Sequence, residues 1–510
     1  MSNTPTTERR PAKRLKHDKP PPAAMPAPAS HRTASFTAGI PTPPPTTGSL
    51  PRRDSFPFRP KRTTPRLGRT ARSRAAKKSK TTTLDPFGEH TAESGVEHAI
   101  IKDKQYFEFL RWLKAQGCPK TKLTLAEFSN TGRGMMATKD IKAGEVIVQV
   151  PEKNLVTMKG LQTVYGSRIS RFGKKLGSHM FIALHIALLV QMREKSGWLP
   201  YLRMLPTKFD TMPVRYPEDL LEFLPPNAKV HVDKQKQKIT SDYKLALEFL
   251  QANSDLLNKP LTYEEYEWAW LVVNTRCIYL DAKKQDSADN IALAPMLDFL
   301  NHTHEAKTEG RFDNKTKAYH IKTLLPYNKG AQCMINYGPH DNCFILVEYG
   351  FVTPMNPYNY VSVDSAFLNL TIPGESAAAK KEKLELLDMA GYLGDYVFHK
   401  DDVSFRLLAG LRLRLINPFN TSSATTQLAI SRWHSVVNGE LEQVSDENER
   451  LVRVYLEKLC NDILADTKKA LAALARKKTT FSVMHLQQIW IETRDIVLSI
   501  VDKIHRNEEL

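Results

Sequence analysis

An apolar run that ends in amide and imidazole groups constrains this chain more than any other stretch. Residues 290–303 read NIALAPMLDFLNHT, so Asn301 and His302 follow directly on a segment that belongs in a core. Polar groups placed there must find partners, because each one buried without a hydrogen bond costs about 1–3 kcal/mol. A second polar cluster follows at Asn336-Tyr337-Gly338-Pro339-His340-Asp341-Asn342, and then comes Glu348-Tyr349-Gly350-Phe351. Either cluster alone also reads as a turn, since Asn and Asp favour turns and Tyr-Gly commonly ends a strand. Both in one segment, in this order, point to a site.

Charge divides the chain in two. Residues 1–80 hold 19 Lys and Arg against three acids (Glu8, Asp18, Asp54), a net +16 out of +18 for all 510 residues. The remainder carries only +2, so the folded body offers no electrostatic case for specific nucleic-acid binding. Residues 1–95 are rich in Pro, Ser and Thr, with few aliphatic side chains to offset the entropy of ordering; the expectation is a disordered basic tail. Its basic clusters at 9–16 and 69–80 read as nuclear import signals, as weak nucleic-acid contacts, or as solubilising charge. The expected location is nucleus and cytoplasm. The first 20 residues lack the apolar core of a secretory signal, and the prolines oppose the amphipathic helix of a mitochondrial one.

The five cysteines (Cys118, Cys277, Cys333, Cys343, Cys460) leave one over from any pairing and show no CxxC spacing. Reduced thiols and no metal centre are expected. No membrane span is expected either, since the run 180–190 is far short of about 20 apolar residues.

Periodicity places the elements. Tyr106, Phe107, Phe109, Leu110 and Leu113 fall at helical spacing on one face. Asn130-Thr131-Gly132-Arg133-Gly134 reads as a glycine-flanked loop, followed by a turn at 139–145 and a strand at 146–150. A second strand–turn–strand unit (319–324, 326–330, 332–337) echoes it and reads as a small hairpin. Between these units, residues 161–273 are mainly helical. The run 180–190 is a buried helix with Ser178 as its N-cap, and His185 within it reads as a hydrogen-bonded core histidine rather than a metal ligand. Residues 366–510 read as a separate helical domain, in which Leu486, Ile489, Trp490, Ile496, Val497, Ile500 and Ile504 form an interhelical stripe.

With Asn274-Thr275-Arg276, the segment 292–302, and Tyr337-Gly338-Pro339-His340-Asp341-Asn342 followed by Glu348-Tyr349-Gly350-Phe351, the chain resembles the SET-domain protein methyltransferases. The type is the split-SET one represented by the plastid Rubisco large-subunit lysine methyltransferase, and the motifs are nearest to the branch called SET-domain-containing protein four. The resemblance covers residues 100–370 and extends over the C-terminal third only in helical character. It implies an α+β SET fold of short sheets, built from 96–160 and 274–365, interrupted by the helical insert 161–273 and followed by an all-helical substrate-binding domain at 366–510. The implied cofactor is S-adenosyl-L-methionine, held by Gly132, Arg133, Gly134, Arg276, Asn301, His302 and Phe351. Arg276 suits a cofactor carboxylate, although a surface ion pair explains it nearly as well. Tyr337 matches the reactive-channel tyrosine and Tyr349 an aromatic lining the substrate channel.

The implied reaction is methyl transfer to a lysine side-chain amine of a protein. A protein histidine methyltransferase and a catalytically inactive cofactor-binding adaptor are the alternatives. A near-neutral body with two large helical regions favours a folded non-histone partner, with a histone as the second choice. One prediction needs no structure: deleting residues 1–90 leaves the thermal midpoint of the purified protein unchanged, as calorimetry will show, because a segment with so few apolar side chains adds nothing to the core.

Overall fold

The computed structural model describes residues 98–280 and 290–508. The basic tail and its two clusters lie outside these residues. The first helix, Lys104–Ala115, is capped by Asp103, whose carboxylate accepts from the backbone N–H of Gln105 at 3.0 Å. Tyr106, Phe109 and Leu113 face the core, whereas Phe107 is 49% exposed. The expected face is therefore narrower: positions 106, 109 and 113 hold one stripe, and 107 stands a full 100° away from 106.

Two small sheets interlock at the centre. One orders the strands His98–Ile100, Leu123–Phe128, Gly132–Ala137, Gln332–Ile335 and Asn301–His302. The other pairs Val146–Pro151 with Ala318–Thr323, and that strand in turn with Thr308–Asp313. The expected hairpin between 319–324 and 332–337 is corrected, because its two strands belong to different sheets. Each instead pairs antiparallel with a strand of the first unit, Gln332–Ile335 with Gly132–Ala137 and Ala318–Thr323 with Val146–Pro151. The two turns also bond to each other, with Ile141 N–H to Tyr327 O at 2.8 Å and the reverse bond at 2.9 Å. The echo between the units is thus a tertiary contact: each completes the other's ladder and leaves no edge between them.

Against these sheets packs the helical insert, with Ser178–Gln191, Pro226–Gln251 and Tyr263–Arg276 as its main helices. The last has a capping box between Thr262 and Glu265 and runs past residue 273 to deliver Asn274 and Arg276 to the centre. Residues 178–189 are buried on every side, as a helix that is apolar all round must be. Gly177, not Ser178, occupies the N-cap, and Ser178 is the first helical residue. His185 Nδ1 lies 2.9 Å from the Tyr165 hydroxyl, the satisfied core histidine that was expected.

The C-terminal part is helical, with Asp446–Leu474 and Phe481–His505 as its long antiparallel pair. The expected all-helical composition needs one addition, a small sheet of Tyr360–Ser362, Val397–His399 and Asp402–Val403. The stripe of the last helix divides between two cores. Ile496, Val497 and Ile500 pack within the C-terminal part, while Val483, Leu486 and Ile489 join Tyr216, Leu221 and Val232 of the insert and Leu346 and Val347.

Phe109 links the first helix to the centre. It is fully buried and meets Phe299 edge-on at 5.4 Å, with Tyr201 at 6.1 Å. Phe109→Ala is expected to cost about 3–5 kcal/mol, measured by urea denaturation, because it removes a fully buried ring and its aromatic contacts from the core.

Candidate active site

Three stretches of chain meet at Asn301. Its side-chain amide donates to Arg133 O at 3.0 Å and to Gln332 Oε1 at 2.9 Å. Gln332 also accepts from the Thr131 hydroxyl at 3.0 Å. The approach requires glycine at 134, where a Cβ would come within 2.5 Å of Gln332 Oε1 and 2.8 Å of Asn301 Nδ2. Residues 132–134 are not the loop expected from the sequence. They open a strand, with Gly132, Arg133 and Gly134 opposite Phe128, Glu127 and Ala126. Arg133 reaches across to Met204 O at 3.2 Å, and burial, then the neighbouring Arg276, lowers its pKa.

His302 follows on the same short strand, which runs parallel to Met334 and Ile335. It is 7% exposed, and its Nδ1 accepts the backbone N–H of Tyr337 at 3.0 Å. An acceptor Nδ1 carries no proton, so the ring is neutral with its proton on Nε2. Burial, with His304 and His340 adding to it, pushes its pKa down to about 4. The Tyr337 hydroxyl donates to Leu300 O at 2.7 Å. Burial pushes the phenol up to about 12, opposed by Arg276 and reinforced by Asp298. It therefore remains a donor throughout the neutral range.

Around Tyr337 stand the rings of His302 at 5.0 Å, Tyr349 at 5.0 Å and Phe351 at 6.3 Å. Tyr349 ends the helix Asn342–Tyr349, which starts on Asp341 as N-cap. Gly350 then turns the chain at φ +78°, with Thr211 Oγ1 2.8 Å from where a Cβ would sit, and sends Phe351 back over the cluster. Tyr337, Tyr349, His302 and Phe351, all site residues implied by the resemblance, are thus one aromatic group.

Arg276 is the residue whose surroundings differ most from expectation. A surface ion pair is ruled out, since its side chain is only 15% exposed and its partner Asp298 is fully buried. Arg276 Nη1 donates to Asp298 O at 2.7 Å and to Asp298 Oδ2 at 3.2 Å, and the Tyr201 hydroxyl donates to the same Oδ2 at 2.9 Å. Arg276 Nε and Asp298 Oδ1 remain buried without a partner. Burial raises the Asp298 pKa in spite of Arg276 and Tyr201. Arg276, Asp298, Tyr319, Tyr337 and Tyr349 line one cleft. Sequence reading missed Asp298 and Tyr201. The signal for Asp298 was an acid within the apolar run of residues 291–300, whereas nothing local marked Tyr201. Such a cleft can strip water from an amine or imidazole, orient it with a carboxylate and a phenol, and bind an anionic group at the unpaired guanidinium N–H. No group of three or more His, Cys, Asp or Glu residues able to hold a metal occurs among the described residues.

A SET domain model matches residues 132–338. SET domain-containing protein 4 of Mus musculus is 30% identical over 386 residues, which span 73% of this chain and 84% of that protein. Ribosomal lysine N-methyltransferase set11 of Schizosaccharomyces pombe is 27% identical over 374 residues, 72% of this chain and 90% of its own. Actin-histidine N-methyltransferase of Gallus gallus is 27% identical over 369 residues, 70% and 60% respectively. In fold, the chain is similar to the SET domain of LSMT bound to lysine and AdoHcy, with a TM-score of 0.58 at 21% identity over 79% of this chain and 91% of that one.

The state of His302 makes a pH prediction. Its folded pKa of about 4 lies below the ordinary 6.5, so the unfolded chain binds the proton more readily. The stability tied to neutral His302 is complete above pH 6.5 and is lost as pH falls towards 4, with about 2 kcal/mol gone at pH 5. Urea midpoints at pH 7.5 and 5 measure it: His302→Asn, which keeps an acceptor for Tyr337 N–H, should start less stable and show a smaller acid loss than the parent.

Proposed function

We propose that this chain, which belongs to the SET-domain protein family, is an S-adenosyl-L-methionine-dependent methyltransferase acting on a lysine side-chain amine of a protein. The observation that carries this reading is the Tyr337 hydroxyl, held on Leu300 O inside the ring of His302, Tyr349 and Phe351, with the Arg276–Asp298 pair lining the same cleft. The cofactor supplies a sulfonium methyl group when bound. Its binding is assigned to Gly132, Arg133, Gly134, Arg276, Asn301, His302 and Phe351, and two features fit it. The unpaired Nε–H of Arg276 suits a carboxylate, and Gly132, at φ +66° with only Glu127 Oε1 within 4 Å of where a Cβ would sit, leaves the strand end open to a polar ligand.

The residues then act as follows. Methyl transfer needs a neutral nucleophile in line with the donor. A lysine of pKa about 10.4 costs roughly 5 kcal/mol to deprotonate at pH 7. The dry, aromatic cleft lowers that cost by disfavouring the ammonium form. Tyr337 orients the amine and steadies the polarised methyl, and Tyr349 lines the approach. Asp298, in the lining of the same cleft, offers its unpartnered Oδ1 to an N–H of the incoming amine. The Schizosaccharomyces pombe relative is a ribosomal lysine N-methyltransferase, which supports lysine, while the Gallus gallus relative is an actin-histidine N-methyltransferase, so histidine is the second reading. We assign the substrate to the folded non-histone proteins, in nucleus and cytoplasm, from the near-neutral body and the extent of its helical surfaces.

Labelled S-adenosylmethionine, lysate from cells lacking the protein, and mass spectrometry test this reading. Label on lysine supports it, label on histidine moves the acceptor, and no label on protein refutes the activity. Tyr337→Phe should lose about 100-fold in turnover, since the positioned hydroxyl oxygen, whose proton is held by Leu300 O and whose lone pairs orient the amine and the polarised methyl, is removed, and keep its affinity for S-adenosylhomocysteine by calorimetry. Asn301→Ala should weaken that affinity about tenfold, because the strand ends it joins lose their partner.

A further inference from the structure

The last helix, Phe481–His505, carries a carboxylate far in sequence from every residue assigned so far. Glu492 accepts four hydrogen bonds, all from amide N–H groups. Oε2 accepts from Asn342 Nδ2 at 2.7 Å and Asn359 Nδ2 at 2.6 Å, and Oε1 accepts from Gln488 Nε2 at 2.9 Å and the backbone N–H of Met355 at 3.1 Å. Burial raises its pKa, and the four donors oppose that rise. Such a set is specific to a carboxylate, because only an acid without its proton offers two oxygens that both accept.

Glu492 holds more than its own contacts. Asn342 begins the helix that ends in Tyr349, and it is 2% exposed. Its backbone N–H donates to Asn359 Oδ1 at 2.8 Å, its Oδ1 accepts Thr353 N–H at 2.9 Å, and its Nδ2 donates to Thr353 O at 2.8 Å. Asn356, buried, donates to His340 O at 2.8 Å and accepts Tyr358 N–H at 3.0 Å. The loop so bound places Met355 at φ +54°, a conformation that a non-glycine side chain holds only when its surroundings enforce it. One side chain of the C-terminal part therefore fastens both ends of the segment that sets Tyr349 and Phe351 beside Tyr337.

We propose that Glu492 is a positioning residue for transfer at Tyr337, acting through Asn342, Asn359 and the N–H of Met355 on the segments 337–342 and 351–359. The C-terminal part then completes the transfer site as well as offering a surface for substrate. This rests on the methyltransferase reading above. Substitution by Gln converts one acceptor oxygen into a donor that faces N–H groups, so the segments lose their anchor while the side chain keeps its size.

The test compares the full-length parent with Glu492→Gln and Asn359→Ala. Calorimetry with S-adenosylhomocysteine counts competent sites, hydrogen exchange reports on 337–342, 351–359 and the reference helix 446–474, and label transfer to the protein that the parent labels in lysate is expressed per competent site. A purely structural role lowers the number of sites and leaves the rate per site unchanged. The expected result for Glu492→Gln is a rate per site lower by about tenfold or more, with exchange faster by about tenfold in both segments and unchanged in the reference helix. A rate per site within about twofold of the parent, or unaltered exchange in both segments, overturns the proposal. Should Glu492→Gln exchange faster throughout, it has unfolded, and Asn359→Ala decides: a parental rate per site overturns the proposal, and a fall of about threefold or more supports it. A parent that labels no protein refutes the methyltransferase reading instead, and the exchange data still decide whether Glu492 holds the two segments.

Discussion

The amide of Asn301 is the contact on which the centre of this protein depends. One side-chain NH2 joins the carbonyl of Arg133 to Gln332, and so ties together strands that lie about 200 residues apart in the chain. It can do so only because residue 134 has no side chain. The next residue, His302, repeats the arrangement one step along by accepting the backbone N–H of Tyr337. Two adjacent polar side chains at the end of an apolar run thus serve as partners for backbone groups that the short strands leave unpaired. Neither is tolerable in a core on its own, and together they close it.

The electrostatics of the site follow from the same burial. Removing water holds His302 neutral, holds Tyr337 protonated and raises Asp298 towards its neutral form. Arg276 remains beside Asp298 with part of its guanidinium unmatched. A cleft in this state is set against extra positive charge on its guest and in favour of a neutral nucleophile, which is what alkylation of a side-chain nitrogen demands. The aromatic rings around Tyr337 exclude solvent, and the Leu300 carbonyl fixes the hydroxyl without ionising it.

The interlocked sheets explain why so much of the chain is needed to build a small site. Ile141 and Tyr327 exchange backbone bonds, and the strands on either side of each pair with the other unit. The insert then brings Arg276 in from the end of a long helix, and Tyr201 reaches Asp298 from a short one. Glu492 adds a fourth contribution from a helix near the C-terminus. The cleft is therefore lined from several distant stretches, while Tyr201 and Glu492 stand behind it and bond to Asp298 and to Asn342 and Asn359 respectively.

The sequence by itself determined the charge division of the chain, the helices with a clear apolar stripe, the core role of His185, and the residues grouped around Tyr337. The first three were legible because each rests on local chemistry, the balance of charge or the spacing of apolar residues along a helix, whereas Tyr337, Tyr349 and Phe351 stood out through the resemblance of their motifs to a family. Tertiary structure decided the rest. Whether 319–324 and 332–337 pair with each other or with strands some 180 residues earlier cannot be read from alternation, which marks a strand and not its partner. Phe107 was misread because periodicity gives a face but not its width. The strand at 132–134, the burial of Arg276 against Asp298, the reach of Tyr201 and the hub at Glu492 are all contacts between distant segments, fixed only when the apolar faces of several elements had brought them together.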